Sequence, residues 1–161
     1  MRPTVIASFA ALALALPLPT LAAGGGSDPP KIEAAKPADP AYTQAKAMIE
    51  QKNYAGAIPL LQQVVQRDPR NADAYNLLGY ATRSSGNPQG SLQYYTQALA
   101  IDGRHLGAHE YLGEAYLMLD RPAEAEKMLA RLDSLCVFGC TEYRMLKTAI
   151  ANYKQGKKPT N

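Results

Sequence analysis

Two cysteines, Cys136 and Cys140, bracket the segment Cys136-Val137-Phe138-Gly139-Cys140, and the chain contains no others. Thiols this close can pair, hold a metal jointly or exchange with a substrate disulfide. The spacing is one residue longer than the redox motif C-x-x-C, and in an oxidising compartment two cysteines without other partners most simply join each other. That bond needs Cα atoms about 4.4–6.8 Å apart, so the segment must turn, which Gly139 permits. A loop this short contributes only about 2 kcal/mol by chain entropy, so its value lies in fixing how the next helix leaves the fold. Free or intermolecular thiols, and a metal or redox site, are the alternatives. His105 and His109 stand four positions apart with Glu110 beside them, so both rings could meet on one helical face. The pattern is not H-E-x-x-H and no third ligand is indicated. The competing reading places His109 in a core slot and His105 at or before a helix start. Glu124 and Glu126 are sequence neighbours rather than facing carboxylates and belong on a solvated helix side. No catalytic constellation or cofactor motif is present, so neither catalysis nor a cofactor is expected.

The N-terminus carries an address. After Arg2 the stretch Val5–Leu16 is free of charge, Pro17 and Pro19 break it, and Thr20-Leu21-Ala22-Ala23 follows. A short apolar run followed by small residues reads as a secretory signal peptide over residues 1–23. It is too short for a retained anchor, which needs roughly 20 apolar residues. No cysteine follows the cleavage region to take a lipid, so the expected mature protein starts near Ala23 or Gly24. It is soluble, periplasmic or secreted, and without stable membrane insertion. Residues 24–40, GGGSDPPKIEAAKPADP, offer Ile32 as their only large aliphatic side chain. They cannot bury enough surface to offset ordering entropy and read as a flexible tether.

Charge narrows the partners. The chain has 17 basic and 14 acidic residues, and loss of Arg2 brings the mature protein close to neutral. Nucleic-acid binders usually show a basic stripe and a pI above about 9, so nucleic acid is excluded as a partner class. Ten tyrosines, two phenylalanines and no tryptophan provide aromatic bulk with a hydroxyl that can face water or a partner.

The elements that position these residues repeat. With an offset of 34, Tyr75, Leu78, Gly79 and Ser91 fall on His109, Leu112, Gly113 and Ala125, and one frame earlier Ala57, Leu61, Val64 and Pro69 fall under Ser91, Tyr95, Ala98 and Gly103. Each unit reads as two helices. Asp39-Pro40 and Asn87-Pro88 place an N-cap before a proline at the first helical position, while Arg121-Pro122 offers the proline alone. Leu77, Leu78, Ala81 and Leu92, Tyr95, Leu99 keep the helical period, and Gly86, Gly103 and Asp68-Pro69 supply turns. Small residues at Gly79, Gly113, Ala57, Ser91, Ala125 and Ala98 let paired helices approach closely.

At these residues the sequence resembles the tetratricopeptide-repeat family, whose unit is a 34-residue helix-turn-helix. The second unit carries Tyr75, Leu78-Gly79, Gly86, Ser91, Tyr95 and Ala98. The third carries His109, Leu112-Gly113, Tyr116, Ala125 and Leu129. The first has Ala45 where the glycine stands in the others, with Asn53-Tyr54, Ala57 and Asp68-Pro69 in place. The resemblance implies an all-α, right-handed superhelical solenoid of three units, about 38–71, 72–105 and 106–135, within a domain at 41–154. Over Thr141–Lys154, Leu146, Ala149, Ile150 and Tyr153 form one apolar stripe. That suits a capping helix with Arg144, Lys147 and Lys154 in water. Residues 155–161 read as a loose tail.

The resemblance also implies a groove lined by the first helix of each pair and receiving a partner peptide. Carried over by position, its residues are Tyr42, Lys46 and Ile49, then Asn76, Tyr80 and Arg83, then Glu110, Glu114 and Leu117. Asn76, Tyr80 and Arg83 share a face by helical spacing alone. The family's clamp for C-terminal carboxylates is unmatched, since Tyr42, Lys46, Leu77, Gly107 and Tyr111 stand at its positions. Two functions follow from different classes: a non-catalytic adaptor of the cell envelope binding another protein, or a redox or metal-handling accessory using Cys136 and Cys140. A self-associating scaffold is the third reading.

Overall fold

A computed structural model describes residues 39–159; residues 1–38, to which the expected signal peptide and nearly all of the expected tether belong, and residues 160–161 lie outside the described residues. Seven helices follow one another: α1 (Pro40–Glu50), α2 (Tyr54–Arg67), α3 (Ala72–Ser84), α4 (Pro88–Ile101), α5 (Leu106–Met118), α6 (Pro122–Leu135) and α7 (Thr141–Lys154). No strand is present among the described residues.

Local chemistry sets where each helix starts and stops. Asp39, Asn53, Asn71, Asn87 and His105 each accept a backbone N–H of the first turn with their side chains, whereas Arg121 caps nothing and relies on Pro122. The first helix of every pair ends on a residue with positive φ: Lys52 at 58°, Gly86 at 92° and Asp120 at 58°. The next residue's N–H then reaches back to close a Schellman turn, Asn53 to the Met48 carbonyl, Asn87 to Thr82 and Arg121 to Tyr116. The three positions are 34 apart, so the turn recurs where only one unit has glycine. At Lys52 and Asp120 the left-handed conformation costs about 1 kcal/mol, offset by those closing bonds.

Successive pairs pack antiparallel, α1 on α2, α3 on α4 and α5 on α6, and α7 packs on α5 and α6. Helix α3 also touches both α1 and α5 directly, while α2, α4 and α6 make no such contact among themselves. The stack therefore bends with the first helices of the pairs on the inside of the curve. A Cβ added at Gly79 would stand 2.6 Å from the Tyr95 ring, and Ala57, Ala98, Ala125 and Ser91 are fully enclosed. The third unit closes differently: a Cβ at Gly113 would meet Leu146 of α7 at 2.6 Å, not α6. Leu146 and Ile150 are buried, Ala149 and Tyr153 pack around them, and Arg144, Lys147 and Lys154 stay exposed.

Between α6 and α7 a disulfide joins Cys136 and Cys140, with Cα atoms 5.6 Å apart and Gly139 at φ 78° making the turn. The Tyr143 N–H donates to Cys140 Sγ at 3.4 Å, so the same sulfur that closes the loop also caps α7.

Candidate partner-binding face

The inner faces of α3 and α5 meet rung by rung. Asn76 Nδ2 lies against Gly107, where an added Cβ would be 3.3 Å away. The Tyr80 and Tyr111 rings sit 5.1 Å apart, and Arg83 pairs with Glu114 at 2.7 Å. Each rung joins residues 31 positions apart, as expected of equivalent helices stacked in a constant register. Tyr80 also meets Tyr54 edge-on at 5.9 Å, extending the aromatic seam into the first unit. The Arg83 guanidinium is centred 5.5 Å from the Tyr80 ring and 5.6 Å from that of Tyr111. It is thus held between two π faces and a carboxylate.

This packing divides the residues carried over by position. Lys46 is exposed, Tyr42 is half-buried with Lys46 Nζ 6.0 Å from its ring, and Tyr80 and Glu114 are partly open; these face outward from the inner surface. Ile49 packs at the edge of the first core cluster. Asn76, Arg83 and Glu110 are only 7%, 5% and 3% exposed. They lie in the interfaces between helices, a correction to their placement on an open groove. Leu117 is fully enclosed with Leu132, Leu146 and Ile150 and belongs to the core, so it is removed from the face altogether. The helix that covers α5 is α7, and its burial of this flank was not contained in a pattern carried over from the repeats alone.

Glu110 is the most perturbed acid. Burial, with Glu114 and Glu142 as negative neighbours and only Arg83 opposing, pushes its carboxyl up to about 8. Its Oε1 has no partner among protein groups, nor has Asn76 Oδ1. Burial likewise pushes Tyr111 up to about 12, with Glu110 adding to it, and raises Tyr95 further.

The histidines do not converge. His105 Nδ1 accepts the Ala108 N–H at 3.1 Å, so Nε2 carries the proton and donates to Asp73 at 3.1 Å. His109 donates from Nε2 to the Gly103 carbonyl at 3.2 Å, and burial lowers its pKa. The lone pair of one ring is used in a helix cap and that of the other is buried, which leaves no shared position for a metal. Glu124 pairs with Arg121 and Glu126 with Lys154 at the surface.

A cavity of about 470 Å³ opens beside Glu114, between α5, α7 and the following tail. Its walls include Arg144, Met145, Thr148, Asn152, Lys157 and Lys158. Of the residues carried over from the groove pattern, only Glu114 reaches it. A signal was available in the spacing of Thr141, Arg144, Thr148 and Asn152, one face of α7, but reading α7 as a cap with a wet outer side hid it.

Two family models, both described as tetratricopeptide repeat, match residues 42–105 and 83–150. The chain is a tetratricopeptide-repeat protein. It is similar to the Protein O-mannosyl-transferase Tmtc3 of Drosophila melanogaster, with 35% identity over 71 residues. That stretch is 44% of this chain but 8% of the relative, so the likeness covers a small part of a much longer protein. Among solved structures, PcrH in complex with the chaperone-binding region of PopD superposes with a TM-score of 0.65 at 16% identity, over 72% of this chain and 90% of that one. The first TPR of Spaghetti (RPAP3) bound to the HSP90 peptide SRMEEVD gives 0.64 at 18% identity, over 72% and 89%. At these identities the structures establish the shared fold. No helix among the described residues is long and apolar enough to cross a membrane.

Proposed function

We propose that this protein is a non-catalytic adaptor that holds a segment of another polypeptide along the inner face of its helical stack. The observation that carries the reading is the face itself. Helices α1, α3 and α5 carry Tyr42 and Lys46, Tyr80, and Glu114, all at least partly open, and the Arg83–Glu114 pair braces the Tyr80–Tyr111 seam. Tyrosine is enriched among protein-binding hot spots, and Tyr42 and Tyr80 are partly open on these helices. Two structures of the same fold carry bound polypeptide, the HSP90 peptide and the chaperone-binding region of PopD. The transferase named among the relatives matches over too little of its length to bring an activity here.

The protein works in the cell envelope on this reading. The signal-like segment at 1–23 and the pairing of the only two cysteines both suit an exported chain in an oxidising compartment. Less supports the redox or metal alternative: among the described residues no group of three His, Cys, Asp or Glu side chains is placed to hold a metal ion, and the cysteine spacing is one longer than the redox motif.

The test is site-specific photo-crosslinking in the native host. A crosslinking residue at Lys46 or Tyr80 should trap one protein species, and the same residue at Gln97 on α4, facing outward, should trap none. Equal trapping from Gln97 alone would place the binding surface on the convex side and overturn the reading.

A further inference from the structure

We propose that the cavity between α5, α7 and the tail takes an acidic segment of the partner polypeptide, bound in extended form along α7. This deepens the adaptor reading and rests on it, since the cavity continues the inner face past Glu114.

Charge selects the ligand. Between Cys136 and Pro159 the chain carries Arg144, Lys147, Lys154, Lys157 and Lys158 against the single acid Glu142, in a protein otherwise close to balance. Three of those cations, Arg144, Lys157 and Lys158, line the cavity. Arg144 gives one hydrogen bond, to the Thr141 hydroxyl at 3.2 Å, which leaves most of its planar fork for a carboxylate. Lys158 is paired with Asp120 at 2.5 Å, but the two side chains are 51% and 61% exposed, so a stronger acidic ligand can displace the bond. The one acid in the wall, Glu114, is already neutralised by Arg83 at 2.7 Å. Thr148 and Asn152 add uncharged polar groups.

Shape selects a peptide over a small dicarboxylate. The α7 wall runs from Thr141 to Asn152, a helical distance of about 16 Å, the length of roughly five extended residues. Met145, 48% exposed and one of three large hydrophobic residues exposed among the described residues, lines the same cavity as the cations, with Ala149 and Pro159. A run in which acidic side chains alternate with apolar ones would place both kinds against matching wall. The volume of about 470 Å³ lies within the range of ligand-binding clefts.

The probe is a labelled six-residue peptide of alternating glutamate and leucine, blocked at both ends, read by fluorescence anisotropy on the purified protein at low salt. Its lysine–leucine counterpart and free succinate are the comparisons. The acidic peptide should bind at least about tenfold tighter than the basic one, and affinity should fall as salt rises. Arg144→Glu with Lys157→Glu should cost about tenfold or more, and Met145→Ala a few-fold, with far-UV circular dichroism unchanged. Lys127→Glu with Arg131→Glu on α6 makes the same change in net charge and should leave binding intact. Equal loss in that control, no preference between peptides, or displacement by succinate at equimolar peptide would each overturn the proposal. Failure here with crosslinking at Lys46 intact would strike the cavity and spare the adaptor reading, whereas loss of crosslinking at Lys46 and Tyr80 would strike the latter.

Discussion

Glu110→Gln should change how stability depends on pH. Glu110 is 3% exposed, and burial with Glu114 and Glu142 nearby lifts its carboxyl from the ordinary 4.5 to about 8. Within that window the native protein keeps a proton that the unfolded chain has released, so stability falls as pH rises from the lower value through the upper one. Each pH unit inside the window removes at most about 1.4 kcal/mol. From about pH 6 to pH 8 the ceiling is near 3 kcal/mol, and adjustment of α7 around the carboxylate reduces it to about 1–2 kcal/mol. Glutamine has the shape of the protonated acid and no charge at any pH, so the variant should lack this slope. Urea titrations followed by circular dichroism at several pH values give both curves. Every other ionisable group is common to both proteins and cancels in the difference. The variant should gain about 1–2 kcal/mol relative to wild type across the window, or roughly 4–8 °C in Tm. Parallel curves would mean that Glu110 is solvated or ionised, and the packing of α7 over α5 would have to be redrawn.

Three further outcomes are expected. Leu146→Asp should cost several kcal/mol, because it empties the notch at Gly113 and buries an unpaired charge; an unchanged melting curve would detach α7 from the fold. Arg83→Ala should cost about 3 kcal/mol by stranding Glu114, with Arg83→Lys losing less, and an unaltered urea midpoint would refute the role of the rung. Mass spectrometry of the unreduced protein should show about 2 Da less than the reduced form, with Cys136 and Cys140 both protected from alkylation; full alkylation without reductant would contradict the bond.

The helical repeat was legible because its causes are local. Caps such as Asn87 and small residues such as Gly79 and Ala125 act within one unit and recur at a fixed interval, so residue type alone reveals them. The turns at Lys52 and Asp120 were hidden because neither residue type advertises positive φ; only their register with Gly86 points to it. The candidate face was legible in direction but not in depth. Periodicity places Arg83, Glu110 and Leu117 on the inner side of their helices, yet exposure depends on what packs against them: α5 closes over Arg83, and Leu146 and Ile150 of α7 close over Leu117. Arg83 illustrates the result: a residue placed on the groove by its position is instead the centre of a buried ion pair between two tyrosine rings.

The contact between Gly113 and Leu146 sets a rule for how this architecture can be lengthened or shortened. In the second unit the notch at Gly79 is filled from within by Tyr95. In the third the filler arrives from beyond the unit's own end, on α7. Helices α5, α6 and α7 are therefore inherited as one block. A duplication that separated α6 from α7 would take Leu146 away from one copy of Gly113. Growth of such a protein would proceed from the amino-terminal side, with the carboxy-terminal block passed on intact.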